Sequence, residues 1–207
     1  MGFYFQINTL RFPEKETPMV EFLRLIVIGA RGVGKSASIV RFMEGYFVEF
    51  YDPIIEDSFR RRIEIDSEPV VVEFFDAAGT DDYPALRDEY MRMGDGFIVV
   101  YSINAKNSFD AAVELVERIK IVNEVHSFPL VIVGNMCDLE CVRQVTTEEG
   151  WKMASKHKAV FFETSAKFDV NIKDAFNEIA RNTLRQRKEE KEISNRTPRY
   201  RSGPRQK

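Results

Sequence analysis

One segment limits the folds open to this chain more than any other: FLRLIVIGARGVGKS, Phe22 to Ser36. An apolar run reads as a buried strand, and Gly29 to Ser36 then satisfies the pattern of a glycine, four residues and Gly-Lys-Ser, with a helical segment behind it. The chemistry of such a loop is anion binding. Glycines let the backbone curl so that successive N–H groups face one anion, and the following helix presents its positive end. Lys35 neutralises β- and γ-phosphate charge, and Ser36 is placed to ligate Mg²⁺. A plain glycine-rich turn with an exposed lysine is the alternative, but it does not account for the position between a strand and a helix.

The rest of the chain repeats that alternation. VVVEFFD (Val70 to Asp76), GFIVVYS (Gly96 to Ser102) and PLVIVGN (Pro129 to Asn135) read as largely buried strands. Phe109, Ala112, Val113, Val116 and Ile119 recur at three- and four-residue steps, as do Ile172, Ala175, Phe176, Ile179 and Ala180, so each segment presents one apolar stripe to a sheet. FRRRIEID, followed by Ser67-Glu68 and the Val70 run, predicts an antiparallel hairpin inside an otherwise parallel arrangement. The alternation argues for an α/β sandwich. Residues 1–21 are expected as an N-terminal extension, 22–187 as the domain and 188–207 as a basic, flexible tail.

Composition narrows the partners. The net charge of −3 is uneven: residues 185–207 carry nine Lys or Arg against three Glu, which leaves −9 on the remainder. An acidic body argues against nucleic acid, while the basic end permits at most a weak contact with an anionic membrane. No apolar run approaches the roughly 20 residues of a membrane helix, and the first residues lack a signal-peptide pattern, so a cytoplasmic location is expected, with a peripheral place at the inner face of the plasma membrane as the alternative. The chain is expected to be a monomer. The two cysteines, Cys137 and Cys141, are too few for a disulfide framework and read as structural thiols.

Three further elements follow in order. Asp76, in DAAG, closes a strand where a carboxylate can hold a Mg²⁺ shell, and Gly79 offers a backbone N–H near a terminal phosphate, although an acid at a strand end is often a turn residue. In NMCD, Asn135 to Asp138, the Asp138 carboxylate can accept two hydrogen bonds from guanine, a pair of donors that adenine lacks; an Asn/Asp turn is the bland alternative. ETSAK, Glu163 to Lys167, places the Ala166 N–H where it could meet the guanine carbonyl, though alone it reads as a helix start.

Together these motifs, with FVEFYDPIIEDSF, DEYMRMGDGFIVVYSI and NSFD, resemble the small GTP-binding proteins, the Ras family most closely, from Phe22 to about Arg185. The resemblance implies an α/β P-loop small GTPase fold, a six-stranded, mainly parallel sheet with one antiparallel hairpin and helices on both faces, and GTP/GDP and Mg²⁺ as cofactors. It assigns Gly32, Val33, Gly34, Lys35, Ser36 and Ala37 to the phosphates, and Phe47, Asn135, Asp138, Leu139, Ser165, Ala166 and Lys167 to the base and its surroundings. Ser36 and Asp76 go to the metal, and Lys35, Gly79 and Thr80 to the catalytic positions. It also implies an effector-reading first switch at Tyr51–Phe59, a second switch from 76 to about 93, an exchange factor and an activating protein.

The departures from that pattern converge on the phosphate end. Ile54 stands where the family has a threonine whose hydroxyl completes the metal shell, and isoleucine has no oxygen to offer. Thr80 replaces a water-orienting glutamine and is too short to reach as far. Arg31 replaces a phosphate-loop glycine where an activating protein's arginine would enter, Met136 replaces a lysine beside the base, and Ala77 departs without an evident effect. No cysteine follows Cys141, so a prenylated end is not expected, and Gln6 spoils the myristoylation pattern after Gly2. The function expected is a switch with very slow GTP hydrolysis. The alternative is a nucleotide-weak or GDP-locked module that binds partners without cycling, and an ATP-dependent P-loop kinase is disfavoured because Asp138 and ETSAK suit guanine.

Overall fold

The computed structural model describes residues 20–47, 57–77, 84–124 and 127–196. Residues 1–19 of the expected extension, residues 51–56 of the first switch and Gly79 and Thr80 of the second lie outside these residues; Glu21, expected in the extension, begins the first strand. In chain order the elements are β1 (Glu21–Ile28), α1 (Lys35–Glu44), β2 (Asp57–Ile65), β3 (Glu68–Asp76), α2 (Pro84–Met93), β4 (Gly96–Ser102), α3 (Lys106–Asn123), β5 (Leu130–Asn135), a 3₁₀ turn (Cys137–Val142), α4 (Thr147–His157), β6 (Val160–Glu163) and α5 (Ile172–Arg196).

The described strands form one six-stranded sheet in the order β2-β3-β1-β4-β5-β6. Every pairing is parallel except β2 with β3, so the α/β arrangement with one antiparallel hairpin is as expected. The hairpin turns one residue earlier than the sequence suggested: Ile65 pairs with Glu68, and Asp66 and Ser67 form the connection with φ of 51° and 66°. Two successive positive φ values are the signature of a turn whose twist matches that of the flanking strands.

Both faces of the sheet are covered, which is why its strands read as unbroken apolar runs. Alternate residues of β1 divide between two cores. Leu23, Leu25 and Val27 pack beneath α1 and α5, while Ile26 and Ile28 pack beneath α2, α3 and α4. The first core centres on Phe42, Phe74 and Phe176, whose ring centroids lie 4.9–5.5 Å apart. Burying three such rings contributes on the order of 2–3 kcal/mol each.

Residues 188–196, expected as part of a flexible tail, are the last turns of α5. Ion pairs fasten this stretch to the amino ends of inner strands: Lys188 to Glu68 of β3, Lys191 to Glu21 of β1 and, from the residue just before it, Arg187 to Asp95 ahead of β4. Among the described residues no helix is long and apolar enough to cross a membrane.

The strand order changes direction at β1, with β3 on one side and β4 on the other. A crevice at the carboxyl ends of the strands at such a point is the usual ligand position in open α/β sheets. The segments after β1, β3, β5 and β6, which carry the sequence motifs, therefore meet along one edge.

Candidate nucleotide site

The phosphate end is built by the turn between β1 and α1. Gly34 begins α1 in the left-handed region at φ 88°, and a Cβ there would lie 2.3 Å from the Asn135 side-chain nitrogen, so conformation and space both require glycine. No side chain caps the helix, and the Ser36 and Ala37 N–H groups have no carbonyl of their own helix to meet. A helix start of this kind is suited to an anion. Lys35, 4% exposed, donates through Nζ to the carbonyls of Gly29 (2.7 Å) and Ala30 (2.9 Å), which holds its charge over the loop. Gly32 is exposed, with φ 78°, and Val33 is buried under the loop.

Ser36 Oγ donates to Asp76 Oδ2, bringing the hydroxyl of α1 and the carboxylate ending β3 together across 40 residues. Among the described residues no group of three or more His, Cys, Asp or Glu could hold a metal. One hydroxyl and one carboxylate suit Mg²⁺, which takes few protein oxygens and fills its shell with phosphates and water. Ser36 and Asp76 would hold it; when bound, it neutralises phosphate charge.

The base end is braced from below. Asn135, 1% exposed at the end of β5, donates through Nδ2 to the Val33 carbonyl (2.8 Å) and accepts from Thr164 Oγ1 (3.0 Å) through Oδ1. The backbone adds Thr164 N–H to Gly134 O and Cys137 N–H to Thr164 O, each at 2.9 Å. One buried amide thus ties the phosphate loop to both base motifs. Thr164 is absent from the sequence-derived set; its sequence cue was its place beside Ser165, but a hydroxyl there gave no sign of its acceptor.

Met136 starts the 3₁₀ turn at φ 62°, and its Cε comes within 3.8 Å of the point where a Gly34 Cβ would be. Asp138 is exposed on that turn and Leu139 is half-buried beside it. Ser165 is fully buried and accepts from the Phe168 N–H through Oγ at 3.1 Å; Ala166 is 4% exposed and Lys167 exposed. Phe47 is half-buried against the core beneath α1. Burial and the carboxylates of Asp138 and Glu163 push the Cys137 thiol up, so it stays protonated at neutral pH, as a structural thiol should.

Comparison with known proteins agrees with this geometry. Residues 24–185 match the Ras family. The chain is 43% identical over 158 residues to Ras-like protein 1 of Saccharomyces cerevisiae, covering 76% of this chain and 51% of that protein. It is also 43% identical over 166 residues to Ras-like protein 2 of Mucor circinelloides and to Ras-like protein rasB of Dictyostelium discoideum, covering 80% of this chain and 84% of each of those. It therefore spans about half the length of the yeast relative and most of the other two. The phosphate loop, the Ser36–Asp76 pair, the Asn135 brace and these matches place the chain in the Ras family of small GTPases, which bind GTP and GDP with Mg²⁺.

Proposed function

We propose that this chain is a GTP-binding switch with very slow hydrolysis, acting through effector binding at Tyr51–Phe59. The observation that carries the reading is the meeting of Lys35, Ser36, Asp76 and the Asn135 brace at one edge of the sheet, in a chain whose sequence has a threonine, Thr80, where the family has its water-orienting glutamine. Binding and hydrolysis make different demands. Binding needs the loop amides, the Lys35 ammonium and the base contacts. Hydrolysis also needs a group that orients the attacking water and a cation at the transition-state charge. A figure known for Ras itself, not worked from this chain, puts these two needs together at about 10⁵-fold in rate.

Arg31 is exposed on the turn ahead of α1, where a bulky cation obstructs an arginine entering from an activating protein. Ile54 removes a metal-shell oxygen, so closure of the first switch loses part of its drive. The same reading expects an exchange factor, a monomeric chain and at most a weak, salt-sensitive contact of residues 185–207 with anionic lipid. Single-turnover hydrolysis of preloaded GTP tests it. The expected rate is at or below the intrinsic Ras value, on the order of 10⁻⁴ s⁻¹. A much faster rate that is lost in Arg31→Gly would make Arg31 an internal catalytic cation and end the proposal.

Met136 favours a second reading, a module that holds nucleotide weakly, because the thioether lacks the ammonium of the family lysine. Nucleotide content after gentle purification separates the two: stoichiometric GTP supports the slow switch, and GDP or none supports the module.

A further inference from the structure

Arg41 lies in the last turn of α1, the helix whose first residues are Lys35 and Ser36. Its guanidinium donates to three backbone carbonyls, one just past the helix and two in a distant part of the chain. Nε meets Ala166 O at 2.7 Å, Nη2 meets Lys167 O at 2.9 Å and Nη1 meets Gly45 O at 2.9 Å. The helix does not need this arrangement in order to end, because the Gly45 N–H already closes it on the Arg41 carbonyl at 3.0 Å. Two of the three bonds leave the helix altogether, for a loop 125 and 126 residues away.

That loop has little else to fix it. Ser165 and Val170 pair across its base and the Phe168 N–H reaches Ser165 Oγ, but among the described residues no backbone–backbone hydrogen bond involves Ala166 or Lys167. The third acceptor, Gly45, opens the segment that leads through Tyr46 to Phe47. We infer that Arg41 is a positioning residue for guanine nucleotide: one rigid guanidinium fork locks the Ala166–Lys167 peptides and the approach to Phe47 onto the helix that carries the phosphate-binding residues. A charge-assisted donor spends its hydrogen bonds on carbonyls that ordering the loop would otherwise leave to water. Removing it frees both sides of the base pocket while Lys35, Ser36 and Asp76 stay in place.

The inference rests on reading Phe47 and Ser165–Lys167 as the base side of the site, and it is independent of the hydrolysis rate. The test uses the full chain loaded with a fluorescent GDP analogue. Release is timed against excess GDP, once with millimolar Mg²⁺ and once with EDTA. Arg41→Met, which keeps the apolar stem and removes every donor, is expected to speed release about tenfold or more in both conditions, since hydrogen bonds to charged groups are the stronger class. Arg41→Lys, with a single point charge, should fall between parent and Met.

Release within twofold of the parent, whatever the loss in melting temperature, would overturn the inference by leaving Arg41 a purely structural residue. So would an acceleration that vanishes in EDTA, because the effect would then run through Ser36 and the metal. If Arg41→Met does not fold, Arg41→Lys and Arg41→Gln carry the same comparison. Asp138→Asn is run alongside: if it speeds GDP release and the Arg41 variants do not, this inference fails alone, and if neither does, the base-site assignment fails.

Discussion

Asn135→Ala is the sharpest test of how the two ends of the site are joined. The side chain is 1% exposed, donates to Val33 O at 2.8 Å and accepts from Thr164 Oγ1 at 3.0 Å. Its removal loses two hydrogen bonds at about 1 kcal/mol each and strands a buried carbonyl and a buried hydroxyl at about 1–3 kcal/mol each before relaxation. The Thr164 hydroxyl can rotate in search of another acceptor, so the lower part of that range applies and the expected cost is about 3 kcal/mol. For a domain of this size that lowers the melting temperature by about 6–12 °C. Urea unfolding of parent and variant must be compared at one fixed nucleotide and Mg²⁺ concentration, because bound ligand adds stability by mass action. Thr164→Val completes the cycle: the double variant should cost less than the sum of the singles by about 0.5 kcal/mol or more, since both break the same bond. A cost under about 1 kcal/mol for Asn135→Ala, or strict additivity with Thr164→Val, would refute the brace.

Three further outcomes are expected. Asp138→Asn should weaken GDP binding and improve xanthine-nucleotide binding, since the carboxylate has two donors to meet on guanine; equal GDP affinity by calorimetry would count against Asp138 as the base reader. His157, whose side chain is 1% exposed and whose Nδ1 lies 2.8 Å from Lys120 Nζ, has its pKa pushed below the ordinary 6.5 by burial and then by that ammonium, with Glu117 opposing and Lys156 adding. The unfolded chain then binds the proton more readily, so stability rises with pH through the window below 6.5. His157→Gln should flatten the dependence of denaturant midpoint on pH in that window, and an unchanged slope would sink the assignment. The Tyr101 hydroxyl is buried with no hydrogen-bond partner among the described residues and lies 2.4 Å from where a Gly150 Cβ would be. Tyr101→Phe should therefore be neutral or stabilising by up to about 1 kcal/mol and should partly rescue Gly150→Ala; a loss above about 1 kcal/mol in thermal unfolding would mean that the hydroxyl has a partner.

Much of the architecture was legible locally. The phosphate loop, the buried strands and the stripes of α3 and α5 are written in glycine spacing, unbroken apolar runs and a 3.6-residue period, which a short window contains. Lys35, Ser36, Asp76, Asn135 and Ser165 could be singled out as candidates because each is a distinctive residue type at a strand end or helix start, and the structure brings them to one edge of the sheet. The turn at Asp66–Ser67 was misplaced by one residue, because a non-glycine pair with positive φ carries no strong turn signal. The continuation of α5 to Arg196 was missed for another reason. Its last turns gain stability from Glu68 and Glu21, acids on other elements, rather than from an apolar stripe.

By itself, then, the sequence determined the order of strands and helices, the glycine-rich loop after β1 and the chemical types of the side chains proposed for the base and the metal, since these follow from local geometry and side-chain chemistry. Tertiary structure alone decided that Asn135 joins Val33 to Thr164 and that Arg41 grips Ala166, Lys167 and Gly45. The acceptors in most of these bonds are backbone carbonyls, which every residue possesses. A donor's partner is therefore set by which carbonyl the fold brings within about 3 Å, and no residue type marks that carbonyl in advance.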